Sequence, residues 1–189
     1  MKLTLIRHGI TVGNLKRLYY GSTDLPLLES SVEELKAFAA RGRYPKAERY
    51  FTSGMLRAEQ TFQAIYGDIP HGILPGLREI DFGIFEMKTY EQLCSVPEYL
   101  QWIDGDNEAN VCPGGESGVM VTERALAALA PVISDERDTV CVTHGGVIGG
   151  VLGSMFPNSG GRYAFTPEPG GGFTVELSRG EPIGVTPLD

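Results

Sequence analysis

The stretch LIRHGITVGN, residues 5–14, indicates both the class of fold and the position of its site. Lys2 to Ile6 is predicted to be a short buried strand, and it runs directly into Arg7, His8 and Gly9. Polar side chains that follow a buried strand in this way are typical of a ligand site at the edge of a sheet. The stretch therefore predicts a strand that presents His8 at its carboxyl end.

Two further strands show the same pattern, at Tyr50 to Ser53 and at Thr139 to Thr143, which runs into His144. A loop rich in Pro and Gly then precedes a predicted edge strand at Phe173 to Leu177. Because helical patterns separate the strands, we expect right-handed crossovers and a largely parallel sheet covered on both faces. The carboxyl ends of parallel strands meet at one edge, so the polar residues there can converge on one crevice.

Three helices are predicted between the strands. Ser30 and Ser31 are followed three residues later by Glu33 and Glu34, a capping-box arrangement that predicts that a helix begins there. Met55 to Tyr66 shows a second helical pattern. The third runs from Glu116 to about Ile133, and Pro131 is expected to bend it or to end it early.

Size and composition exclude several classes of protein. The 189 residues, 42% of them hydrophobic, predict a single domain spanning 1–189. No apolar run suits a membrane span or a signal peptide, so we expect a soluble, cytoplasmic protein without a membrane partner. A formal charge of −8 argues against nucleic acid as a partner. The spacing of Cys94, Cys112 and Cys141 favours neither disulfides nor a zinc site.

The polar residues at the strand ends suit phosphoryl transfer, which needs a nucleophile, positive donors around the phosphoryl oxygens, and an acid for the leaving oxygen. A neutral imidazole is a competent nucleophile, so His8 is the candidate for the first role. The planar guanidinium of arginine matches two phosphate oxygens, which lysine does not do with the same geometry. The candidate phosphate-binding groups are Arg7, Asn14, Arg57, His144 and the backbone amide of Gly145.

The leaving oxygen also needs a carboxyl group that carries a proton when the substrate binds. Glu79 is the best candidate, ahead of its neighbours Asp81 and Glu86. Water would then attack the phosphohistidine, with the Glu79 carboxylate as its base. This scheme uses no metal ion and no cofactor, and we expect neither.

These residues carry a family resemblance. RHGITVGN at 7–14 resembles the R-H-G-x-T-x-x-N signature of the histidine phosphatase superfamily, which includes the cofactor-dependent phosphoglycerate mutases. The chain departs from the family's pattern at Leu28, Ser31 and Met87, none of which belongs to the candidate phosphate-binding groups. Further matches follow in order: YGSTDLPL at 20–27, SGMLRAEQT at 53–61, LREIDFGIFE at 77–86, PGGES at 113–117 and THGG at 143–146.

The resemblance implies a fold and a set of roles. The fold would be a three-layer α/β/α sandwich with a largely parallel central sheet, and we place a cap over the site near residues 85–115. His8 would become phosphorylated, Glu79 would donate the proton, and Tyr20 is a further candidate for substrate contact. The substrate would be a phosphate monoester of a small metabolite. The implied phosphate-binding residues are Arg7, Asn14, Arg57 and His144.

Two other functions remain as alternatives, a phosphoglycerate mutase and a non-catalytic phosphate-binding module. A mutase needs extra cations for a second anionic group, but Thr89 to Glu123 contains no Lys or Arg and seven acidic residues. Lys88 is the only cation predicted near the cap. Ile80 and Asp81 follow Glu79 where the mutases carry Arg and His. The sequence therefore favours a phosphatase, resembling the α-ribazole phosphatase branch, and leaves the oligomeric state open, with a homodimer as one alternative.

Overall fold

The computed structural model describes residues 1–105 and 108–188. Its main sheet has six strands in the order β4-β3-β6-β1-β7-β8, and β2 and β5 form a separate pair. Strands β1, β3, β4 and β6 are parallel, β7 is antiparallel to β1, and β8 is antiparallel to β7. The strands are β1 (Lys2–Arg7), β2 (Leu18–Tyr19), β3 (Arg49–Thr52), β4 (Gly72–Ile73), β5 (Lys88–Thr89), β6 (Thr139–Thr143), β7 (Gly172–Ser178) and β8 (Glu181–Pro187).

Helices cover both faces of the main sheet. Leu3 and Leu5 of β1 lie in one core cluster with residues of α6 and α7, whereas Ile6 lies in a second cluster with residues of α2 and α3. This alternation follows from the two-residue period of a strand. The predicted α/β fold with three layers is therefore confirmed. The helices are α1 (Val12–Leu15), α2 (Glu29–Ala40), α3 (Leu56–Tyr66), α4 (Tyr90–Leu93), α5 (Pro97–Ile103), α6 (Gly118–Ser134) and α7 (Gly145–Met155), with 3-10 turns at Pro75–Leu77, Gly83–Phe85 and Arg162–Phe165.

The strand predicted at Phe173 to Leu177 is present as β7, but its predicted place at the edge of the sheet is wrong. β1 pairs with one side of β7, and β8 pairs with the other. β8 carries Pro182, Gly184 and Pro187, which weaken the local pattern of a strand. β8 forms because it pairs with β7, and it lies at the edge of the sheet, where proline is tolerated.

The capping box predicted around Ser31 is wrong. α2 begins at Glu29 after Leu28, and no side chain caps it. Ser31 is buried within the first turn, and its hydroxyl accepts a hydrogen bond from the backbone N–H of Ile10 at 2.7 Å. The Ser31 hydroxyl therefore accepts a hydrogen bond from a distant part of the chain and does not cap the helix.

Of the two outcomes expected for Pro131, a bend or an early end, the early end is wrong, because α6 continues to Ser134. Leu129 and Val132 in its last turns are buried in the core, and this burial offsets the hydrogen bond that proline removes. Among the described residues, no helix, α6 included, is long and apolar enough to cross a membrane.

The region predicted as a cap, near residues 85–115, packs around aromatic side chains of its own. Phe85, Leu93, Tyr99 and Cys112 are buried together, with Trp102 and others packed against them. Residues 106 and 107 of this region lie outside the described residues. The small β2–β5 sheet joins the region to the segment after α1.

Candidate active site

The carboxyl ends of β1 and β6 lie side by side, because Arg7 pairs with Thr143 in the parallel register. His8 and His144 follow directly, and the centroids of their rings are 5.2 Å apart. Ser53 follows β3, which pairs with the other side of β6. Side chains from three distant parts of the chain therefore meet at one edge of the sheet.

The imidazole of His8 is 3% exposed and has a defined tautomer. Its Nδ1 lies 2.7 Å from the carbonyl oxygen of Gly9. Because a carbonyl can only accept, Nδ1 carries the proton and the lone pair of the neutral ring is on Nε2. This is the tautomer that a nucleophilic Nε2 requires.

Both histidines of this edge are held in the neutral form. Burial lowers the pKa of His8 from 6.5 to about 3, and the charges of Arg57 and Arg7 act in the same direction. Burial and Arg57 also lower the pKa of His144 well below 6.5. His8 therefore keeps its lone pair at all but strongly acidic pH.

Acid should destabilise the protein through His8. The folded state keeps His8 neutral down to about pH 3, whereas the unfolded chain protonates it below about pH 6.5. The free energy of unfolding is therefore expected to fall between those values, by about 2 kcal/mol at pH 5 from His8 alone. Urea unfolding at pH 7.5 and pH 5 measures this fall in the free energy of unfolding. We expect the fall to be about 2 kcal/mol smaller for His8→Gln than for wild type. Equal losses in the two proteins would contradict a buried neutral His8.

Both ring nitrogens of His144 have partners. The Nε of Arg57 can only donate and lies 3.3 Å from Nδ1, so Nδ1 is the acceptor. The proton of the neutral ring is then on Nε2, which donates to Ser53 Oγ at 2.9 Å. In this tautomer, we expect Nε2 of His144 to donate to a phosphate oxygen only when that oxygen replaces the Ser53 hydroxyl as its acceptor.

Arg57 is fully buried and connects His144 to the segment after Tyr20. Its Nη2 donates to the carbonyl of Gly21 at 2.8 Å, and its Nη1 donates to that of Thr23 at 3.1 Å. The guanidinium carbon lies 5.1 Å from the centre of the Tyr20 ring. Arg57 therefore holds this segment in place while its charge acts on the two histidines.

Arg7 and the N-terminus of α7 lie together. The Nη1 of Arg7 donates to the carbonyl of Pro167 at 2.7 Å, while its buried Nε has no hydrogen-bond partner among the described residues. A β-carbon at Gly145 would stand 3.0 Å from this Nε, so the close approach favours glycine there. Gly145 begins α7, and the backbone amides of a helix N-terminus favour an anion.

A cavity of about 240 Å³ opens onto His8. Its lining includes five of the residues predicted from the sequence: Arg7, His8, Asn14, Tyr20 and Glu79. The Oδ1 of Asn14 accepts from the Tyr20 hydroxyl and from the backbone N–H of Thr11, both at 2.9 Å. These donors identify Oδ1 as the acceptor, so the amide NH₂ group is the part of Asn14 that can donate.

The other three predicted residues do not line this cavity but contact its walls. His144 stacks obliquely on His8, Arg57 lies over the ring of Tyr20, and Gly145 lies against Arg7. All three are buried. They therefore form a layer behind the cavity.

The carboxylate of Glu79 lies at the N-terminus of α7. One oxygen accepts from the backbone N–H of Ile80 at 3.1 Å, and the other accepts from that of Gly146 at 3.2 Å. Besides the His8 cavity, Glu79 lines a neighbouring cavity of about 390 Å³. Glu79 and Phe82 line both of these cavities, and Glu79 also lines a third, of about 420 Å³.

The two neighbouring carboxylates have other partners. Asp81 Oδ1 accepts from the backbone N–H of Gly83 at 2.8 Å. Glu86 Oε1 accepts from the backbone N–H groups of Gly21 and Ser22 at 2.9 and 3.0 Å. Burial opposes the ionisation of Glu86, but hydrogen bonds outweigh it and hold the pKa of Glu86 below its usual range. An ionised Glu86 is better suited to anchoring this segment than to donating a proton.

The neighbouring cavity has an aromatic wall and a cation. The Nη2 of Arg162 donates to the carbonyl of Gly146 at 3.2 Å, and its guanidinium forms an ion pair with Glu108. The prediction that Lys88 is the only cation near the cap is therefore wrong, because the chain brings Arg162 in from a distant segment. The aromatic lining consists of Tyr19, Phe82, Trp102 and Tyr163.

Three further residues belong to the site although the sequence assigned them no role: Arg17, Ser53 and Arg162. Arg17 lines the His8 cavity but lies beyond the end of α1 at Leu15, with a φ of 50°, so no helical spacing indicates it. Ser53 ends a predicted strand, a position that predicts it at the same crevice, and its Oγ lies 2.9 Å from Nε2 of His144. Arg162 follows a segment rich in Pro and Gly, and no local pattern indicates where its side chain lies.

The three cysteines are unpaired thiols, of which Cys112 and Cys141 are buried and Cys94 is exposed. Burial raises the pKa of Cys112 and of Cys141 to about 12. Within residues 1–105 and 108–188, no group of three or more His, Cys, Asp or Glu side chains could hold a metal ion. The buried thiols are therefore neutral packing groups.

The chain is similar to known proteins in sequence and in structure. The family model of the histidine phosphatase superfamily (branch 1) matches residues 3–165. The chain is 30% identical over 154 residues to the adenosylcobalamin/alpha-ribazole phosphatase of Salmonella typhimurium, covering 78% of this chain and 76% of that protein. It is also 30% identical over 163 residues to a probable phosphoglycerate mutase GpmB of Yersinia enterocolitica, covering 82% and 74%. The crystal structure of the alpha-ribazole phosphatase of Shigella flexneri has the same fold, with a TM-score of 0.85, 23% identity, and coverage of 96% and 93%.

Proposed function

The chain belongs to branch 1 of the histidine phosphatase superfamily, and on that premise we propose that it hydrolyses phosphate monoesters of small metabolites through a phosphohistidine at His8. The observation that supports this most directly is the position of Glu79. Glu79 lines the cavity at the His8 ring and also the adjoining cavity of about 390 Å³. A proton donor on the wall of both cavities serves a phosphoryl group on one side and its leaving alcohol on the other.

In the first step, Nε2 of His8 attacks phosphorus as the bond from phosphorus to the leaving oxygen breaks. The proton of the Glu79 carboxyl passes to that oxygen, so the alcohol leaves neutral. Arg7 and Asn14 donate to the phosphoryl oxygens, and the charge of Arg57 favours the developing negative charge. The Nδ1 hydrogen bond to Gly9 keeps the ring in the reactive tautomer while the N–P bond forms.

In the second step, water attacks the phosphorus of phosphohistidine from the side that the alcohol has left. Glu79, now a carboxylate, takes a proton from this water as the N–P bond breaks. Inorganic phosphate is released, and His8 and the protonated Glu79 are restored. The proposed steps need only side chains and water, so we propose that the reaction is independent of metal ions.

The leaving alcohol is proposed to bind in the adjoining cavity. Four of its twelve lining residues are aromatic, and the ring centroids of Tyr19 and Trp102 are 5.9 Å apart, with the rings nearly perpendicular. Arg162 is paired with Glu108, so the charge of this cation is compensated. A cavity of this kind favours a neutral leaving group over one with a second phosphate. This supports a phosphatase over a mutase, as does the similarity to alpha-ribazole phosphatases.

The test compares phosphate release with isomerisation. Wild-type protein is incubated with p-nitrophenyl phosphate and with 3-phosphoglycerate, each with EDTA present. A parallel reaction contains 3-phosphoglycerate with 2,3-bisphosphoglycerate, and formation of 2-phosphoglycerate is followed. We expect release of inorganic phosphate without isomerisation. Isomerisation without net phosphate release would establish a mutase instead, and binding without turnover would establish a binding module.

A further inference from the structure

The proposed proton donor Glu79 lies in a segment without regular secondary structure. It falls between the 3-10 turns at Pro75–Leu77 and Gly83–Phe85. The two hydrogen bonds of its carboxylate come from the backbone amides of Ile80 and Gly146. A general acid must nevertheless stay within hydrogen-bond reach of the leaving oxygen. Its backbone therefore needs support from elsewhere in the fold.

Arg124 of α6 provides this support from one side. Its Nη1 donates to the carbonyls of Gly76 and Arg78 at 2.8 and 2.7 Å, and its Nη2 donates to the carbonyl of Glu79 at 3.1 Å. One guanidinium group thus binds three carbonyls of the segment that carries the acid. The planar fork of arginine makes this possible, whereas the single ammonium of lysine offers no such geometry.

Glu116 completes the arrangement from the other side. Its two carboxylate oxygens accept from Nε and Nη2 of Arg124, both at 2.8 Å. The second oxygen also accepts from the backbone N–H of Asp81 at 3.1 Å. These hydrogen bonds, with that to Arg124 the strongest, hold the pKa of Glu116 below its usual range. The segment is therefore bound both before and after Glu79.

The backbone comes close at the same place. A β-carbon at Gly115 would stand 2.2 Å from the carbonyl oxygen of Asp81, and one at Gly76 would stand 2.8 Å from the carbonyl oxygen of Arg124. The backbone N–H of Glu116 donates to the same Asp81 carbonyl at 2.9 Å. Direct backbone packing and the side-chain bonds thus act on the same residues.

We propose that Arg124 and Glu116 are positioning residues, which hold the Glu79 carboxyl group at the leaving oxygen. The inference rests on the proposed function, because it takes Glu79 as the proton donor. Arg124 touches the backbone of Glu79 and not the reacting atoms, so it acts through Glu79. Its loss should therefore matter most when the leaving oxygen needs a proton.

The test uses leaving groups of different basicity. p-Nitrophenolate leaves without a proton, whereas the alkoxide of glycerol 2-phosphate needs one. We expect Arg124→Met to lower kcat/KM for glycerol 2-phosphate by about 10²-fold and that for p-nitrophenyl phosphate by less than about threefold. kcat/KM is the right quantity, since it covers the steps up to release of the alcohol. Equal losses with the two substrates would overturn the inference.

A double-mutant cycle with Glu79→Gln shows whether Arg124 acts through the acid. Glu79→Gln should show the same dependence on the leaving group. Adding Arg124→Met to it should then cause little further loss with glycerol 2-phosphate. Independent, multiplying losses would overturn the inference, since they would mean that Arg124 acts by another route.

Arg49→Met is the matched control. Arg49 also joins a carboxylate, that of Asp135 at 2.7 Å, to a backbone carbonyl, that of Val132 at 2.8 Å, but it does so at the opposite end of the sheet. Arg49→Met should leave kcat/KM unchanged for glycerol 2-phosphate and for p-nitrophenyl phosphate. If Arg124→Met does not fold, Glu116→Gln replaces it and should show the same selective loss, whereas equal losses would overturn the inference. An inactive wild-type protein would instead refute the proposed function.

Discussion

Replacing His8 by alanine is expected to lower kcat by at least about 10⁴-fold, because the proposed reaction loses its nucleophile. The hydrogen bond from Nδ1 to Gly9 leaves the lone pair of the ring on Nε2, and an alanine side chain has no such lone pair. Wild-type protein quenched during turnover of a ³²P-labelled phosphate monoester should carry a label that is stable in base and lost in acid, as an N–P bond is. The His8→Ala protein should carry none.

His71→Ala is the control for this experiment. The chain has three histidines, and His71 is the one outside the site, where its ring contacts Glu59 and Phe62. It should retain both the label and the turnover. Phosphate release that survives His8→Ala, with a circular dichroism spectrum showing a folded protein, would refute the phosphohistidine mechanism.

Replacing Arg57 by lysine should produce the second large effect, on both activity and stability. A lysine ammonium cannot reach His144, Gly21 and Thr23 together, so it leaves buried carbonyls without donors. We expect kcat to fall by about 10²- to 10³-fold. The free energy of unfolding should fall by about 2 kcal/mol or more, since each buried group left unpaired costs about 1–3 kcal/mol.

Urea unfolding and kinetics at a temperature where the variant is fully folded separate these two effects. Inhibition by orthovanadate, which mimics the phosphoryl group in transfer, should weaken along with kcat. Arg41→Lys makes the same change at an exposed arginine, whose Nε donates to Ala37, and should alter neither quantity. An Arg57→Lys protein with wild-type kcat would show that the charge alone, without the guanidinium geometry, suffices.

The large elements of the fold could be predicted because their signals are local. The apolar runs that form β1 and β6 are buried on both faces, and the helical period of α3 lies between Met55 and Gly67. Their parallel pairing follows from the alternation of strands and helices. These features depend on residues that are close together in the chain.

The errors in the fold prediction arose where a distant partner competes with a local pattern. Ser31 was expected to cap α2 but accepts a hydrogen bond from Ile10 instead. Pro131 stays within α6 because the core buries the residues around it. The strand β8 exists because β7 offers it an open edge. In each case the deciding contact is absent from the local sequence.

The stretch at residues 5–14 by itself determined that His8 follows a buried strand, and the ordered motifs determined which residues to consider with it. Only the tertiary structure decided the tautomers of His8 and His144, the pairing of Arg162 with Glu108, and the binding of the segment around Glu79 by Arg124. The physical reason is the range of the interactions. Burial and strand pairing follow from short-range patterns, whereas hydrogen bonds between loops depend on how the whole chain packs.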